Sequence, residues 1–187
     1  MINHCKISLL FILLFSFLCV GCAAQGEDAA RIAVNLQAIK AMLDQNNVLY
    51  HFHESADCFD ARFDLNGVKM QQITVWIAAY EHGVEIQADY TVQQKQETWA
   101  ADELSKYLIL VNYDQRIGSF YMNQEKGIIG YKVFLYTDRM TPTQEMLRFA
   151  LALSISEAER HGDWILDLMQ GIITAKEAYA QQLQAHY

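Results

Sequence analysis

The residues best suited to chemistry lie between positions 51 and 60, in the segment HFHESADCFD. If this segment forms a β-strand, alternate side chains share a face, so His51 and His53 could both reach one Zn²⁺ ion. A third ligand would have to come from Cys58 or Asp60, or from His82 across the sheet. Solvent-facing strand histidines are the simpler interpretation, so we predict no metal and no other cofactor. A small metal-binding protein or enzyme that uses His51, His53 and Cys58 stays open as an alternative.

Motifs of the common enzyme classes are missing from the sequence after residue 21. The patterns GxSxG, HExxH and CxxC do not occur there. Gly127 and Gly130 fall in a hairpin pattern, whereas a phosphate-binding loop stands at the start of a helix. Ser119, Ser154 and Ser156 have no evident basic partner that could activate them as nucleophiles. We therefore predict a protein that is not an enzyme.

Aromatic residues indicate a different kind of site, one that binds a protein or peptide. Their rings are large and amphipathic, so an exposed group of them on one sheet face could hold a partner. Packing in the core is the alternative interpretation of the same rings. We predict the partner-binding positions Trp76, Tyr80, Tyr90, Trp99, Phe120 and Phe134.

The sheet that must position these residues is clearest between Phe59 and Tyr90. Asn66-Gly67 predicts a type I′ hairpin turn, because both residues accept positive φ angles. Gly83 marks a second reversal of the chain. The strand between the two turns has apolar groups on both faces, so helices or a second subunit should cover at least one face.

The rest of the chain predicts further strands and four helices. An apolar stripe with helical spacing indicates a first helix over residues 28–45, and residues 48–54 are predicted to form a strand or an extended segment. Another helix over residues 99–113 precedes a hairpin of residues 118–123 and 128–137. A capping pattern at Thr141 begins a helix that ends at Gly162, and Asp163 caps a last helix over residues 164–182.

These elements predict one α+β domain over residues 29–187. Its antiparallel sheet has about five strands and is flanked by helices, in the order α-β(3–4)-α-ββ-α-α. The net charge of −8 makes the surface acidic, which disfavours nucleic acid and anionic membrane surfaces as partners.

The N-terminus predicts export from the cytoplasm. Lys6 precedes an apolar run over residues 7–20 that spans about 21 Å as a helix, short of the ~30 Å hydrocarbon core. The ending Leu18-Cys19-Val20-Gly21-Cys22 resembles a lipobox, although Cys19 stands where leucine is usual. We therefore predict a lipoprotein signal peptide over residues 1–21, lipidation of Cys22 and a tether over residues 22–28. The protein would then be lipid-anchored on the periplasmic side of the envelope, at the outer membrane rather than the inner one.

A family resemblance covers about residues 30 to 170. The run LILVNYDQRIGSFYMNQEKGIIGYKVFLYT resembles the YbjN-domain family, which has a type III secretion chaperone-like fold. The matching features are Asn112 near a helix end, Gly118 and Phe120 in a strand, and Tyr131-Lys132 in the next strand. The resemblance implies a sheet flanked by helices, contacts with a protein partner, no catalytic centre and the capacity to form a homodimer. Many relatives are cytoplasmic, so a cytoplasmic secretion chaperone with an uncleaved N-terminus is a further alternative.

Overall fold

A computed structural model of the chain describes residues 26–90, 100–138 and 140–185. Over these residues the chain forms four α-helices, a short 3₁₀ turn and one six-stranded antiparallel sheet. In chain order the elements are α1 (26–45), β1 (Tyr50–His53), β2 (Cys58–Asp64), β3 (Gln72–Tyr80), β4 (Gly83–Tyr90), α2 (Ala101–Asp114), β5 (Ser119–Asn123), β6 (Ile128–Tyr136), α3 (Gln144–Met169) and α4 (Ala175–Ala185). The α+β class and the predicted order of elements are confirmed, with six strands instead of about five.

The sheet has the strand order β1-β2-β3-β4-β6-β5. The first four strands form a meander, and the second hairpin joins it through β6, which pairs with β4. Successive side chains of a strand point to opposite faces, and directly paired residues share a face. The register of pairing therefore decides which side chains meet on each side of the sheet.

One face of the sheet is covered by helices, and we call it the covered face. Helix α3 packs on β4 and β6, α2 lies beside β5, and α4 packs on α2 and α3. Helix α1 joins the same layer, since its buried Ile39, Met42 and Leu43 belong to the core cluster that includes the strands. Most side chains of the covered face are almost fully buried, among them Ile73, Val75, Ile77, Val84, Ile86, Ala88, Ile129 and Val133.

The opposite side of the sheet, which we call the open face, lacks such a layer among the described residues. Most of its side chains are exposed or half-buried. The open face includes the side chains of His51, His53, Cys58, Asp60 and Arg62 from β1 and β2, Thr74, Trp76, Ala78 and Tyr80 from β3, Glu85, Gln87 and Asp89 from β4, and Ser119, Tyr121, Lys132, Phe134 and Tyr136 from β5 and β6.

The connection after β2 differs from the predicted hairpin. Asn66 and Gly67 lie within a seven-residue loop over residues 65–71, and neither has a positive φ angle. Helix α3 holds this loop, because Asp163 accepts hydrogen bonds from the backbone N–H groups of Val68, Lys69 and Met70 at 2.8–3.0 Å. Contacts with a helix about 90 residues away thus override the local preference for a tight turn.

The same contacts explain why α3 continues where a helix end was predicted. Gly162 lies inside the 26-residue helix and Asp163 does not cap a new one. A Cβ at position 162 would stand 2.9 Å from the Cβ of Met70, so glycine there allows close approach of the loop. The carboxylate of Asp163 accepts hydrogen bonds from that loop and caps no helix. The last helix begins only at Ala175.

The start of α3 lies two residues later than predicted. Thr143 is the N-cap, and its hydroxyl accepts a hydrogen bond from the backbone N–H of Met146 at 3.2 Å. Among the residues that the structure describes, no helix combines the length and apolar character needed to cross a membrane.

Candidate partner-binding face

Three exposed rings share one corner of the open face, where β3 turns into β4. We call Tyr80, Phe134 and Tyr136 the aromatic corner. The ring centroids of Tyr80 and Phe134 are 6.1 Å apart, within the range of aromatic pairing. Tyr80 is 46% exposed, Phe134 47% and Tyr136 66%. The exposed rings of the helical layer, Tyr113 and Phe149, lie on two different helices.

The structure divides the predicted aromatic set between the two faces. Trp76, Tyr80 and Phe134 lie on the open face, as their strand positions require. Tyr90 and Phe120 lie on the covered face and are 5% and 4% exposed. Packing in the core, the alternative interpretation, accounts for these two.

The buried members of the set have well-defined partners. The hydroxyl of Tyr90 donates a hydrogen bond to the carbonyl of Ala158 in α3 at 2.9 Å. The ring of Phe120 stands edge-on to Tyr131 and His161, with centroids 4.9 and 4.8 Å away. Trp99 and the predicted lipidation site Cys22 lie outside the described residues.

A polar network links β4 to the edge strand β5 on the open face. The amide of Gln87 donates a hydrogen bond to the hydroxyl of Tyr121 at 2.8 Å, and that hydroxyl donates to the carboxylate of Asp89. A Cβ at position 130 would stand 2.6 Å from both the Asp89 carboxylate and the Ala88 carbonyl. Glycine at this position therefore leaves room for the hydrogen-bonded side chains of Asp89 and Tyr121.

The network perturbs the acidity of its members. Burial raises the pKa of Asp89 to about 6, and the nearby charge of Glu85 adds to this, while the hydrogen bond from Tyr121 acts in the opposite direction. The pKa of Tyr121 is raised by burial and by the same carboxylate. Asp89 therefore changes its charge near neutral pH on a surface that faces solvent.

The two histidines considered as candidate metal ligands, and Asp60 as one option for a third, come together at the β1–β2 edge. His51 pairs with Asp60 in the register and His53 with Cys58, so all four side chains share the open face. Nε2 of His53 lies 2.6 Å from Oδ1 of Asp60. His82, the third candidate ligand from sequence, lies in the β3–β4 turn, where its Nε2 stands 3.2 Å from Glu81.

Cys58 contributes a different chemistry from the histidines. It is a free thiol and is buried on the open face. Burial raises the pKa of this thiol, and the carboxylates of Asp60 and Asp57 add to the effect. The protonated thiol is a weak nucleophile and a weak metal ligand.

The covered side of the sheet contains polar groups as well, but they face one another. The ring nitrogen Nδ1 of His161 lies 2.8 Å from the hydroxyl of Tyr107. The carboxylate of Glu157 accepts a hydrogen bond from Gln115 at 2.9 Å and pairs with Arg160 at 3.1 Å. Burial alone would raise the pKa of Glu157, but the hydrogen bonds from His161 and Gln115 and the charge of Arg160 together lower it.

The two edges of the sheet offer little for strand addition. On β5, the side chain of Asn112 accepts a hydrogen bond from the N–H of Phe120 at 2.7 Å and donates one to its carbonyl at 2.9 Å. This amide occupies the outward backbone groups of an edge strand, which limits pairing with another chain. The other edge strand, β1, has only four residues.

Tyr136, Tyr121 and Asp89 were not singled out from the sequence. Alternation within β6 places Tyr136 on the same face as Phe134, and that signal could have found it. The pairing of Tyr121 with Asp89 needs the register of β5, β6 and β4, which short-range patterns do not supply.

This architecture defines a small α+β domain, and the described residues place no helical layer on the open face of its sheet. The family model of YbjN, described as "Putative bacterial sensory transduction regulator", matches residues 35–167, which include every strand of the sheet. Because the match covers more than half of the 187 residues, the chain belongs to the YbjN family. Neither a curated protein nor a solved structure matches it. Membership indicates a chaperone-like or regulatory role through protein binding, in a family that is not known for enzymes.

Proposed function

We propose that this chain is a non-enzymatic regulatory domain that binds a protein or peptide partner through the open face. The observation that carries the proposal is the aromatic corner. Its three rings share a sheet face that has no covering layer among the described residues, and two of them, Tyr80 and Phe134, are paired. Clustered aromatic residues of this kind supply much of the binding energy in protein interfaces, because they bury large areas at a low cost in side-chain entropy.

The open face supports binding better than either edge of the sheet. Asn112 already occupies the outward backbone groups of β5 at Phe120, and β1 is short. The open face, in contrast, combines the aromatic corner with charged and hydrogen-bonding groups such as Glu85 and Lys132. Apolar rings at the centre of a contact with polar groups around them are the usual composition of an interface.

The proposal includes a membrane tether at Cys22 that presents the domain to the periplasm. It is supported by the apolar run over residues 7–20 and by the lipobox-like ending Val20-Gly21-Cys22. A diacyl anchor would supply the affinity for the membrane, while the acidic domain stays in water and binds its partner. The rest of the chain would need no membrane contact of its own.

Site-specific photo-crosslinking tests the partner-binding face. Phe134 is replaced by p-benzoylphenylalanine in cells, and Phe149 is replaced in the same way as a control of similar exposure on α3. We expect a discrete crosslinked partner at position 134 and none at position 149. With that partner purified, Tyr80→Ser and Phe134→Ser should weaken binding by at least ~10-fold. Crosslinking that is equal at both positions, or absent at position 134, would contradict the proposal.

The tether is tested separately by intact mass and N-terminal peptide mapping on protein from the native membrane fraction. A mature chain that begins at acylated Cys22, and that is lost in Cys22→Ser, is the expected result. A chain that still begins at Met1 would contradict the proposed tether and favour a cytoplasmic chaperone-like protein. Neither outcome changes the test of the open face.

A further inference from the structure

His51, His53 and Asp60 converge at the β1–β2 edge of the open face. We call them the histidine–aspartate cluster. Their nearest ligand atoms, one nitrogen from each ring and one carboxylate oxygen, all lie within 4.8 Å of one another. The antiparallel register brings them together, because His51 faces Asp60 across the pair of strands and His53 is two residues further along β1.

We propose that the histidine–aspartate cluster binds one divalent transition-metal ion, with Zn²⁺ as the fitting occupant. The three atoms form a triangle with edges of 2.6 Å (His53 Nε2 to Asp60 Oδ1), 3.3 Å (His51 Nδ1 to His53 Nε2) and 3.7 Å (His51 Nδ1 to Asp60 Oδ1). A tetrahedral zinc ion with bonds of about 2.0–2.1 Å spaces its ligand atoms about 3.3 Å apart. One edge of the triangle matches this spacing, and the other two lie about 0.7 Å below it and about 0.4 Å above it.

Hydrogen bonding alone does not use all three atoms well. An imidazole nitrogen carries at most one proton, yet Nε2 of His53 stands close to both the Asp60 carboxylate and the His51 ring. A proton on Nε2 can point well at only one of them. A cation between the three atoms would accept a lone pair from each, and two nitrogens with one carboxylate oxygen are a ligand set that suits Zn²⁺ and its neighbours in the series.

Packing against neighbouring side chains orders the cluster without a bound ion. Asp60 lies in the second strand from the edge, and its side chain is only 23% exposed. The ring of His53 packs against Trp76 with centroids 5.3 Å apart, and the ring of His51 stands edge-on to His53 at 4.5 Å. Ordered ligands lose little conformational entropy on binding, which favours affinity.

Solvent reaches the cluster from one side. The side chain of His51 is 70% exposed, so an ion bound to the three residues would keep at least one position free. Water would fill that position, as it does in zinc sites with three protein ligands. Because the position opens onto the same face as the aromatic corner, a side chain of a bound partner could replace the water.

Isothermal titration calorimetry of the full chain with ZnCl₂, together with visible absorption of the Co²⁺ form, tests the site. We expect one ion per chain, and a loss of affinity of more than ~10-fold in His51→Ala, His53→Ala and Asp60→Asn. Cys58→Ser and His82→Ala serve as matched controls and should bind like the wild type, since neither residue belongs to the cluster. Both controls also separate this site from one that uses Cys58 or His82 as a ligand.

The proposal is overturned if the wild type fails to bind Zn²⁺ at millimolar concentration, or if any two of the three ligand variants bind as tightly as the wild type. Loss of binding in Cys58→Ser or in His82→Ala would overturn it as well. Circular dichroism of each variant confirms folding, and the exposed His51 gives a variant whose fold should not change. Crosslinking at position 134 is read out independently, so failure of the metal site and failure of the partner-binding face are distinguishable.

Discussion

The two faces of the sheet use the same strands for opposite purposes. On the covered face, aliphatic residues such as Ile77 and Ile86 are fully buried against helices, and the polar groups of Tyr107 and His161 face each other. On the open face, the rings of the aromatic corner and the histidine–aspartate cluster remain accessible to solvent. Stability should therefore depend on one face and binding on the other.

The largest effect on the free energy of unfolding is expected from a substitution that leaves a cavity on the covered face. Ile86→Ala should lower the free energy of unfolding by about 2–5 kcal/mol, because the removed methyl and methylene groups leave a hole among packed neighbours. Phe134→Ala on the open face should cost less than about 1 kcal/mol, since half of its ring is already exposed. Urea unfolding of both variants measures the difference, and equal losses would contradict the division between faces.

The loop after β2 should contribute the next largest effect, because it ties the sheet to α3. Asp163→Ala removes the acceptor of three backbone N–H groups and should cost about 1–3 kcal/mol. Glu159→Ala is the matched control on the same helix, since its carboxylate accepts only the N–H of Asn66. Chemical denaturation should show the larger loss for Asp163→Ala, and the reverse order would rule out this anchoring role.

A smaller effect concerns the pH dependence of stability. The pKa of Asp89 in the folded protein is about 6, above its ordinary value of 3.8, so the folded state binds more protons than the unfolded state between these values. The contribution of Asp89 to stability is therefore greatest below about pH 4 and is lost progressively as the pH rises from the ordinary pKa through the folded pKa of about 6.

The free energy of unfolding, measured from about pH 4 to about pH 7, checks whether stability falls as the pH rises. Asp89→Asn should lose that part of the pH dependence and keep an acceptor for the Tyr121 hydroxyl. Tyr121→Phe should move the fall in stability to higher pH, because the hydrogen bond from Tyr121 lowers the pKa of Asp89. An Asp89→Asn profile identical to the wild type would exclude Asp89 as the source.

The smallest effect on stability is expected at the aromatic corner, where the effect on binding should be large. Tyr80→Ser and Phe134→Ser should each change the free energy of unfolding by less than about 1 kcal/mol, because these rings are half exposed. Phe149→Ser is the control on the helical layer and should leave binding unchanged. Variants that lose stability and binding in parallel would show that the corner serves the fold.

Hydrophobic periodicity was enough to predict the order of elements and the α+β class. The path of the chain at two positions, a turn and a helix end, was predicted wrongly. The Asn66-Gly67 pair and Gly162 both have strong local preferences for ending an element. In the folded chain they face each other across the contact between the β2–β3 loop and α3. Long-range contacts decided both positions, and no local pattern reports such contacts.

The sequence pattern was enough to assign residues to a common sheet face within one strand, but not between strands. Trp76 and Tyr80 lie on one strand, so a period of two was enough to place them on the same face. Tyr90 and Phe120 lie on other strands, where a shift of one residue in the register exchanges the faces. The third candidate metal ligand was left open among Cys58, Asp60 and His82 for the same reason. Without the register between strands, the sequence does not show which of them lies beside the two histidines.

The most direct measurement of the central claim is hydroxyl-radical footprinting of the unmodified chain, in its native membrane fraction and after purification. The oxidation rates of Tyr80, Phe134 and Tyr136 are compared with those of Tyr113 and Phe149, which are exposed on the helical layer. We expect the aromatic corner to be protected in the native fraction and to become reactive on purification, while the two helical rings react equally in both samples. Protection of the helical rings alone, or an aromatic corner that is equally reactive in both samples, would contradict the assignment of the open face as the binding surface.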